Sequence, residues 1–342
     1  MKIAIHYNKM HFSQGWIDYC KENEIDFKIV DCYDTNIIEK LRDFDILMWH
    51  HDHINSKDTR FAKQLLFSLE MAGKIVFPDF RTNWHFDDKL GQKYLLEAID
   101  APMVASYAFY SKIDALRWAK GAIFPKVFKL RGGSGSDNVR LVKTRKDAVK
   151  LIKKAFGTGF SRYNSWGSLK ERWRKYRAGK EKLKEVFDGI FRLIIPTPYS
   201  YIQGRDRGYI YFQDFISNNT HDIRVTYVNN KCFALRRKVR PADFRASGGG
   251  MIEYDMSQIP IKALRIAFDV ATQLTLQTAA FDFVVLNGEP KIIEMSYGFG
   301  YDEDQYNHGY WDNNLNYYPG TFNPYGWMIE GLIEEHNRRN QY

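Results

Sequence analysis

Cysteine is scarce in this chain: among 342 residues there are three, Cys20, Cys32 and Cys232, far apart in sequence. So few and so scattered, they form neither a disulfide framework nor a metal cluster, and a reducing compartment fits. No apolar run is long enough to span a bilayer. The opening MKIAIHYNKM lacks the apolar stretch of a secretory leader. Repeats and low-complexity tracts are missing as well. No G-x-G-x-x-G follows the first apolar strand, which argues against a dinucleotide site there. These absences lead to the expectation of a soluble, cytoplasmic protein. What is present is 44% hydrophobic and 16% aromatic residues with a formal net charge of +9. That suffices for a sizeable core and two or three domains.

Residues 1–80 alternate between strand and helix patterns. Lys2 to His6, Phe27 to Val30, Asp45 to Trp49 and Lys74 to Phe77 read as buried strands. Trp16 to Glu24, Ile37 to Leu41 and Phe61 to Ala72 have helical spacing. Such alternation predicts a parallel sheet covered by helices, with ligands outside the carboxyl ends of its strands. His50, His51, Asp52 and His53 fall on that edge. They are either loop residues, some facing substrate, or a metal site. Ligands so crowded in sequence favour the loop reading.

Phe124 to Lys143 reads as strand, glycine-rich loop, strand, with Arg131-Gly132-Gly133-Ser134-Gly135-Ser136-Asp137 between the strands. Glycines let backbone N–H groups turn toward a phosphate with no Cβ in the way. The exit is a strand, so this is not a Walker A loop. Lys129 stands where its ammonium could reach the same anion. The alternative is a hairpin that binds nothing. Upstream, Asp87 or Asp88 caps a helix through Glu97, and Pro102 follows its end. Taken by itself, Lys89 there is an ordinary solvated helix lysine.

Further on, Tyr209 to Ile216 reads as a strand and Ile261 to Leu276 as an amphipathic helix. Then Phe281, Phe283 and Val285 alternate with Asp282, Val284 and Leu286. After Asn287-Gly288-Glu289-Pro290, Ile293 and Met295 alternate with Ile292, Glu294 and Ser296. An odd connection sets Asp282 opposite Ser296 with Glu294 one diagonal step away, all on one face. An even one splits Asp282 from Glu294. Two carboxylates amid apolar neighbours are costly without a cation, and magnesium suits oxygen ligands beside phosphate. The alternative is a solvated sheet face. Arg224, Arg236, Arg237, Arg240 and Arg245 supply fixed cations for phosphate or carboxylate, with Arg236 and Arg245 favoured. Ser247 to Gly250 reads as a loop that lets substrate approach the backbone.

From Arg140 through Arg192 there are 17 Lys/Arg against 5 Asp/Glu, a balance of +12, so the remainder is slightly acidic. This stretch reads as an insertion, either a solvated helix face or a surface for an anionic partner such as a membrane or acceptor. No nucleic-acid module is recognisable, so nucleic acid ranks lower. The tail from Tyr297 to Tyr325, with its GYWDNNLNYYPGTFNPYGW run, reads as loop. It suits either sugars or simple packing of a C-terminal arm.

Taken together, Lys129 and its glycine loop, the helix opening on Asp88-Lys89, YFQDFI, His221-Asp222-Ile223-Arg224-Val225 and FDFVVLNGEPKIIEMS resemble the ATP-grasp ligases of the glutathione-synthetase/RimK-like branch. The resemblance runs from about Asp87 to the C-terminus. It implies an α/β (α+β) ATP-grasp fold preceded by a parallel β/α domain. The expected divisions are 1–86, then 87–208 as linking helix and small subdomain with the basic insertion near 157–195, then 209–342 as large subdomain. Lys129, Gly132, Gly133, Ser134, Gly135 and Ser136 would clamp ATP from above, with Lys89 near the phosphates. Gln213, Asp214, Phe215 and Ile216 match the adenine-contacting hinge, Gln213 standing where many members have Glu. Asp222 joins the nucleotide-binding set. Asp282, Glu294 and Ser296 match the magnesium ligands, Ser296 standing where Asn is usual. Arg236, Arg245 and Lys129 would be catalytic. The implied activity is ADP-forming ligation of a carboxylate to an amine through an acylphosphate. A narrower likeness, to proteins of bacterial surface-polysaccharide clusters, points to a saccharide precursor and a place beside the inner membrane. The alternatives are an amino-acid or peptide ligase, and a degenerate ATP-grasp protein binding an anionic polymer. The oligomeric state is left open.

Overall fold

The computed structural model describes residues 1–9, 12–133, 138–161, 204–239, 243–246, 251–300 and 303–341, with 173, 176 and 184 besides. Ser134 to Ser136, Arg240, Ser247 to Gly250 and nearly all of the basic stretch near 157–195 lie outside the described residues.

The N-terminal alternation folds as its pattern dictates. Strands β1 (Ile3–His6), β2 (Phe27–Val30), β3 (Ile46–Met48) and β4 (Ile75–Phe77) form a parallel sheet in the order β2-β1-β3-β4. Helices α1 (Ser13–Glu22), α2 (Ile37–Lys40) and α3 (Asp58–Met71) connect them. One face buries Ala4, Leu47 and Val76 against Leu65, Leu66 and Leu69 of α3. The other buries Ile3, Ile5, Met48 and Phe77 with Trp16. A short helix α4 (Phe80–Asn83) follows, capped by Asp79, whose side chain accepts from Thr82 N–H.

Helix α5 (Lys89–Ala98) is capped by Asp88, which accepts from Leu90 and Gly91 N–H groups. Next come β5 (Ser106–Phe109), α6 (Lys112–Gly121), β6 (Lys126–Lys129), β7 (Arg140–Val142) and α7 (Arg145–Ala155). The Thr144 hydroxyl caps α7 by accepting from Asp147 N–H. Short strands β8 (Phe160–Ser161) and β9 (Arg205–Asp206) pair, and β10 (Ile210–Asp214) enters an antiparallel sheet ordered β5-β10-β6-β7. Phe128 and Phe212 from its centre pack on α6 and α7.

A larger antiparallel sheet comprises β11 (His221–Val228), β12 (Lys231–Lys238), β13 (Ile252–Glu253), β14 (Thr278–Leu286), β15 (Glu289–Ser296), β16 (Tyr310–Asp312) and β17 (Tyr317–Tyr318). Its order is β15-β14-β11-β12-β16-β17, with β13 beside β12. Helix α8 (Ile261–Gln273) covers one face, burying Ala263, Leu264 and Ala267 against Phe281 and Phe283. Those two phenylalanines are fully buried, each stabilising the fold by about 2–3 kcal/mol through apolar area removed from water. Period-two alternation sends Asp282 to the opposite face.

The tail is not the loop that its composition suggested. It forms the β16–β17 hairpin and the helix α9 (Pro324–Arg339), capped by Asn323 with Pro324 in its first turn. Helix α9 returns to the first sheet, where Met328 Sδ accepts from Trp16 Nε1 at 3.3 Å. Phe322, Trp327 and Ile329 join the core around Trp16 and Phe77.

Candidate functional site

Register decides which groups meet. The β14–β15 connection is a two-residue Asn287-Gly288 turn with both φ values positive, 53° and 82°. This is the form that matches strand twist in tight hairpins. With this even connection alone, Asp282 and Glu294 would fall on opposite faces. A β-bulge between Asp282 and Phe283 leaves Ile293 unpaired and shifts the ladder by one residue. Asp282 therefore stands directly opposite Glu294, and Ala280 opposite Ser296. Asp282, Glu294 and Ser296 share a face, but by the bulge and not by an odd loop. The Ser296 hydroxyl donates to Gly298 O at 2.7 Å.

The same face carries charges on β11 and β12. Arg224 is the cross-strand neighbour of Asp282, and Asp222 that of Arg237. Arg224 donates to both Asp282 oxygens, at 2.7 and 2.9 Å. Arg237 donates to both Asp222 oxygens, at 2.7 and 2.8 Å, and reaches Asp282 Oδ2 at 2.9 Å. Burial alone would raise the Asp282 carboxyl; the two guanidiniums outweigh it and hold it well below the usual carboxylate range. Arg236, one residue earlier, projects from the other face and meets His221 Nδ1 at 2.9 Å. The strand phase thus gives the cavity Arg237 in place of Arg236. Arg245 lines the cavity, its guanidinium held by the Asp243 carboxylate.

Two lysines complete the set. Lys89, at the start of α5, lies 2.9 Å from Glu294 Oε1 and donates to Gly133 O at 2.8 Å. Burial opposes its charge, but Glu294, Asp87 and Asp88 outweigh burial and raise its pKa. Lys129, at the end of β6, donates to Ile293 O at 3.2 Å. Burial pushes it down to about 8, against the pull of Glu294. Both are 6% exposed, so neither is an ordinary solvated lysine. Burial would raise the Glu294 carboxyl, but Lys89 and Lys129 lower it.

The start of the glycine loop is docked on the α5 N-terminus. Gly133 N–H donates to Asp87 Oδ1 at 2.6 Å, and Lys89 N–H to Arg131 O at 2.9 Å. A Cβ on Gly132 would lie 2.6 Å from Asp87 Oδ2. Only glycine fits there without displacing the aspartate that fastens the loop.

A cavity of about 730 Å³ runs along these residues. At one end Val127, Val139, Phe215, Ile216, Val284 and Ile293 make an apolar slot beside the turn after β10. Gln213 lines it but is 2% exposed, donating to Ser106 Oγ at 3.1 Å. Asp214 is ion-paired with Lys126. At the other end the cavity reaches His50, His51, Asp52 and His53 at the carboxyl edge of the parallel sheet. His50 stacks on Phe12 with 3.7 Å between ring centroids. Burial pushes the His51 imidazole down to about 3, and its Nε2 meets Asn83 Oδ1 at 2.8 Å. These histidines line a wall: among the described residues, no group of three or more His, Cys, Asp or Glu is placed to hold a metal ion.

Sequence reasoning missed Arg224 and Arg237 as the cavity-facing pair. The signal was there: Asp222 and Arg224, two apart, share a strand face.

No protein-family model matches this chain, and neither does any curated protein sequence. Solved structures do match. D-cycloserine synthetase DcsG is 12% identical over 98% of this chain and 99% of its own, with a TM-score of 0.58. D-alanine–D-alanine ligase from Bacillus anthracis is 14% identical over all of both chains, TM-score 0.54. A RimK-domain ATP-grasp protein from Sphaerobacter thermophilus is 12% identical over 86% of this chain and 90% of its own, TM-score 0.52. At such identities the likeness is one of fold.

Proposed function

We propose that this chain, whose architecture is the ATP-grasp fold, is an ADP-forming ligase that joins a carboxylate to an amine. One observation carries the reading. Lys89, Lys129, Arg224 and Arg237 converge on Asp282 and Glu294 in a cavity whose apolar end suits a purine and whose far end opens on a second domain.

The residues suit each task. The apolar slot between Val127 and Val284 takes the base by contact, with the turn after Asp214 offering backbone groups. Gly133, which lines the cavity beside Lys89, covers the phosphates. Lys129 and Lys89 supply positive charge where a substrate carboxylate oxygen attacks the γ-phosphorus and ADP departs. The product is an acylphosphate, and the amine then displaces phosphate to leave an amide. Arg245 and the histidine-lined end hold the acid and the amine. Closure by the loop around Gly132 keeps water from the acylphosphate.

Magnesium takes one or two carboxylates together with phosphate oxygens and keeps the rest of its shell as water. Glu294 fits that demand, being an ionised carboxylate facing the cavity. Ser296 is on the same face, its hydroxyl hydrogen engaged by Gly298 O. The ion would neutralise charge on the transferred phosphoryl group.

The substrate class we favour is a small carboxylate and a small amine, either amino acids or a carboxylate-bearing surface-polysaccharide precursor. The basic stretch near 157–195 would then bring the protein to an anionic acceptor or membrane surface. No described helix is long and apolar enough to cross a membrane. The test is ADP release with a panel of amino acids, uronic-acid saccharides and amines. ADP that forms only when acid and amine are both present, with a product of the summed mass less water, supports the reading. Lack of ATP binding, or ADP release indifferent to every acid and amine, overturns it.

A further inference from the structure

We propose that Asp282 is a positioning residue for Arg224 and Arg237 and not a ligand of the magnesium ion. This rests on the ligase reading above and specifies how its metal is held. A carboxylate has about four lone-pair sites. Three guanidinium N–H groups already fill three of those on Asp282, at 2.7, 2.9 and 2.9 Å. The arrangement is built into the sheet. Arg224 faces Asp282 across the β11–β14 ladder, and Arg237 faces Asp222 across the β11–β12 ladder. Such cross-strand neighbours stay within reach whichever rotamers their other partners take.

The chain runs Asp222, Arg237, Asp282, Arg224, alternating in sign, with all four side chains at most a quarter exposed. A divalent ion bonded to Asp282 at about 2.0–2.1 Å would stand against two guanidiniums that cannot deprotonate. Glu294 differs. Its contacting cation, Lys89, is a single ammonium on one oxygen, and Lys129 acts on it through charge alone, without a hydrogen bond. In this account Glu294 alone supplies the protein's carboxylate to the ion. Asp282 instead fixes two planar cations, both lining the cavity. The Nε and NH2 groups of each guanidinium serve the network, so the NH1 side of each points outside it. Those edges meet the anionic oxygens of the reacting phosphate.

The test uses the full-length protein with manganese as the paramagnetic probe and the non-hydrolysable ATP analogue AMP-PNP. Wild-type protein is labelled with ¹³C-carboxyl aspartate in one preparation and ¹³C-carboxyl glutamate in another. Electron–nuclear double resonance then reads which carboxyl touches the ion. The expected result is strong ¹³C coupling in the glutamate-labelled protein and none in the aspartate-labelled one. Strong coupling from labelled aspartate that vanishes in Asp282→Asn overturns the proposal. If manganese does not bind with AMP-PNP at all, the ligase reading fails instead. In parallel, Asp282→Asn should keep manganese affinity within about threefold of wild type, while Glu294→Gln, which removes the ligand itself, loses at least the roughly 10–100-fold that an outer-shell partner costs. Turnover of Asp282→Asn should fall about a hundredfold with unchanged magnesium dependence, as misplaced charges cost. Arg237→Lys should reproduce that loss, and combining the two should add little. A magnesium requirement raised in Asp282→Asn as far as in Glu294→Gln would also overturn it.

Discussion

Lys129→Met separates a lysine kept for a ligand from one kept for the fold, because its two effects have opposite signs. Lys129 is 6% exposed, and burial lowers its pKa from 10.5 to about 8. At pH 7 it is charged, and holding that charge inside costs the folded state about 3 kcal/mol relative to the unfolded chain. The penalty applies below pH 8 and is relieved as pH rises toward 10.5. Methionine keeps the length of the side chain without the charge. It loses the hydrogen bond to Ile293 O, which is worth about 1 kcal/mol. Folding stability at pH 7 should therefore be unchanged or higher by about 2 kcal/mol, and the advantage should vanish near pH 10. ATP affinity moves the other way. A hydrogen bond to a charged partner contributes about 1.5–3 kcal/mol, so the dissociation constant should rise about 10- to 150-fold. Urea melts at pH 7 and pH 10 read the first effect, and titration calorimetry with ATP reads the second. A variant clearly less stable than wild type at pH 7, with ATP affinity intact, would refute the reasoning.

Three further substitutions test other joints of the structure. Gly132→Ala puts a Cβ against Asp87 Oδ2; releasing the loop from Asp87 to relieve that clash costs about 1–3 kcal/mol of loop docking, so KM for ATP should rise by up to about 150-fold, with any fall in Tm no larger than that cost allows. An unchanged KM would mean that the loop does not close on the nucleotide. Burial, with Glu70 and Glu335 adding to it, pushes Asp79 up to about 6 from 3.8, so the stability that the protonated form lends is present below pH 4 and lost as pH rises through 6. Asp79→Asn keeps an oxygen to cap α4 and should gain about 3 kcal/mol on wild type between pH 4 and pH 7, whereas a pH-independent difference in paired melts would contradict the burial argument. The hydroxyl of Tyr297, fully buried, donates to His51 O at 2.9 Å. Tyr297→Phe should cost about 1–3 kcal/mol by leaving that carbonyl unpaired, and equal urea midpoints would show the bond to be dispensable.

Much of the architecture was legible because its signals are local. The four strands of the first sheet, the cap at Asp88 and the alternation around Phe281 and Phe283 all follow from neighbours in sequence. The candidate site was legible as residue types more than as geometry. Asp282 and Glu294 came out opposite each other, yet through a bulge at Ile293 that no pattern in the hairpin announces. Asn287-Gly288 did announce a two-residue turn, which by itself points to the wrong face. The choice between Arg236 and Arg237 depends on strand phase, fixed only when β12 pairs with β11. The tail misled because aromatic, amide-rich sequence resembles loop. Asn323 followed by Pro324 was the overlooked signal of a helix start. That α9 would pack on the first sheet is a long-range matter that no local pattern carries.

The central claim is that phosphoryl transfer goes to a carboxylate. Once the panel has supplied an acid and an amine that release ADP, the acid is prepared with ¹⁸O in its carboxyl group, and the phosphate released is examined by mass spectrometry. The account predicts one ¹⁸O atom in each phosphate, carried over when the amine displaces it from the acylphosphate. Phosphate free of ¹⁸O, or release of AMP and pyrophosphate in place of ADP, would contradict it.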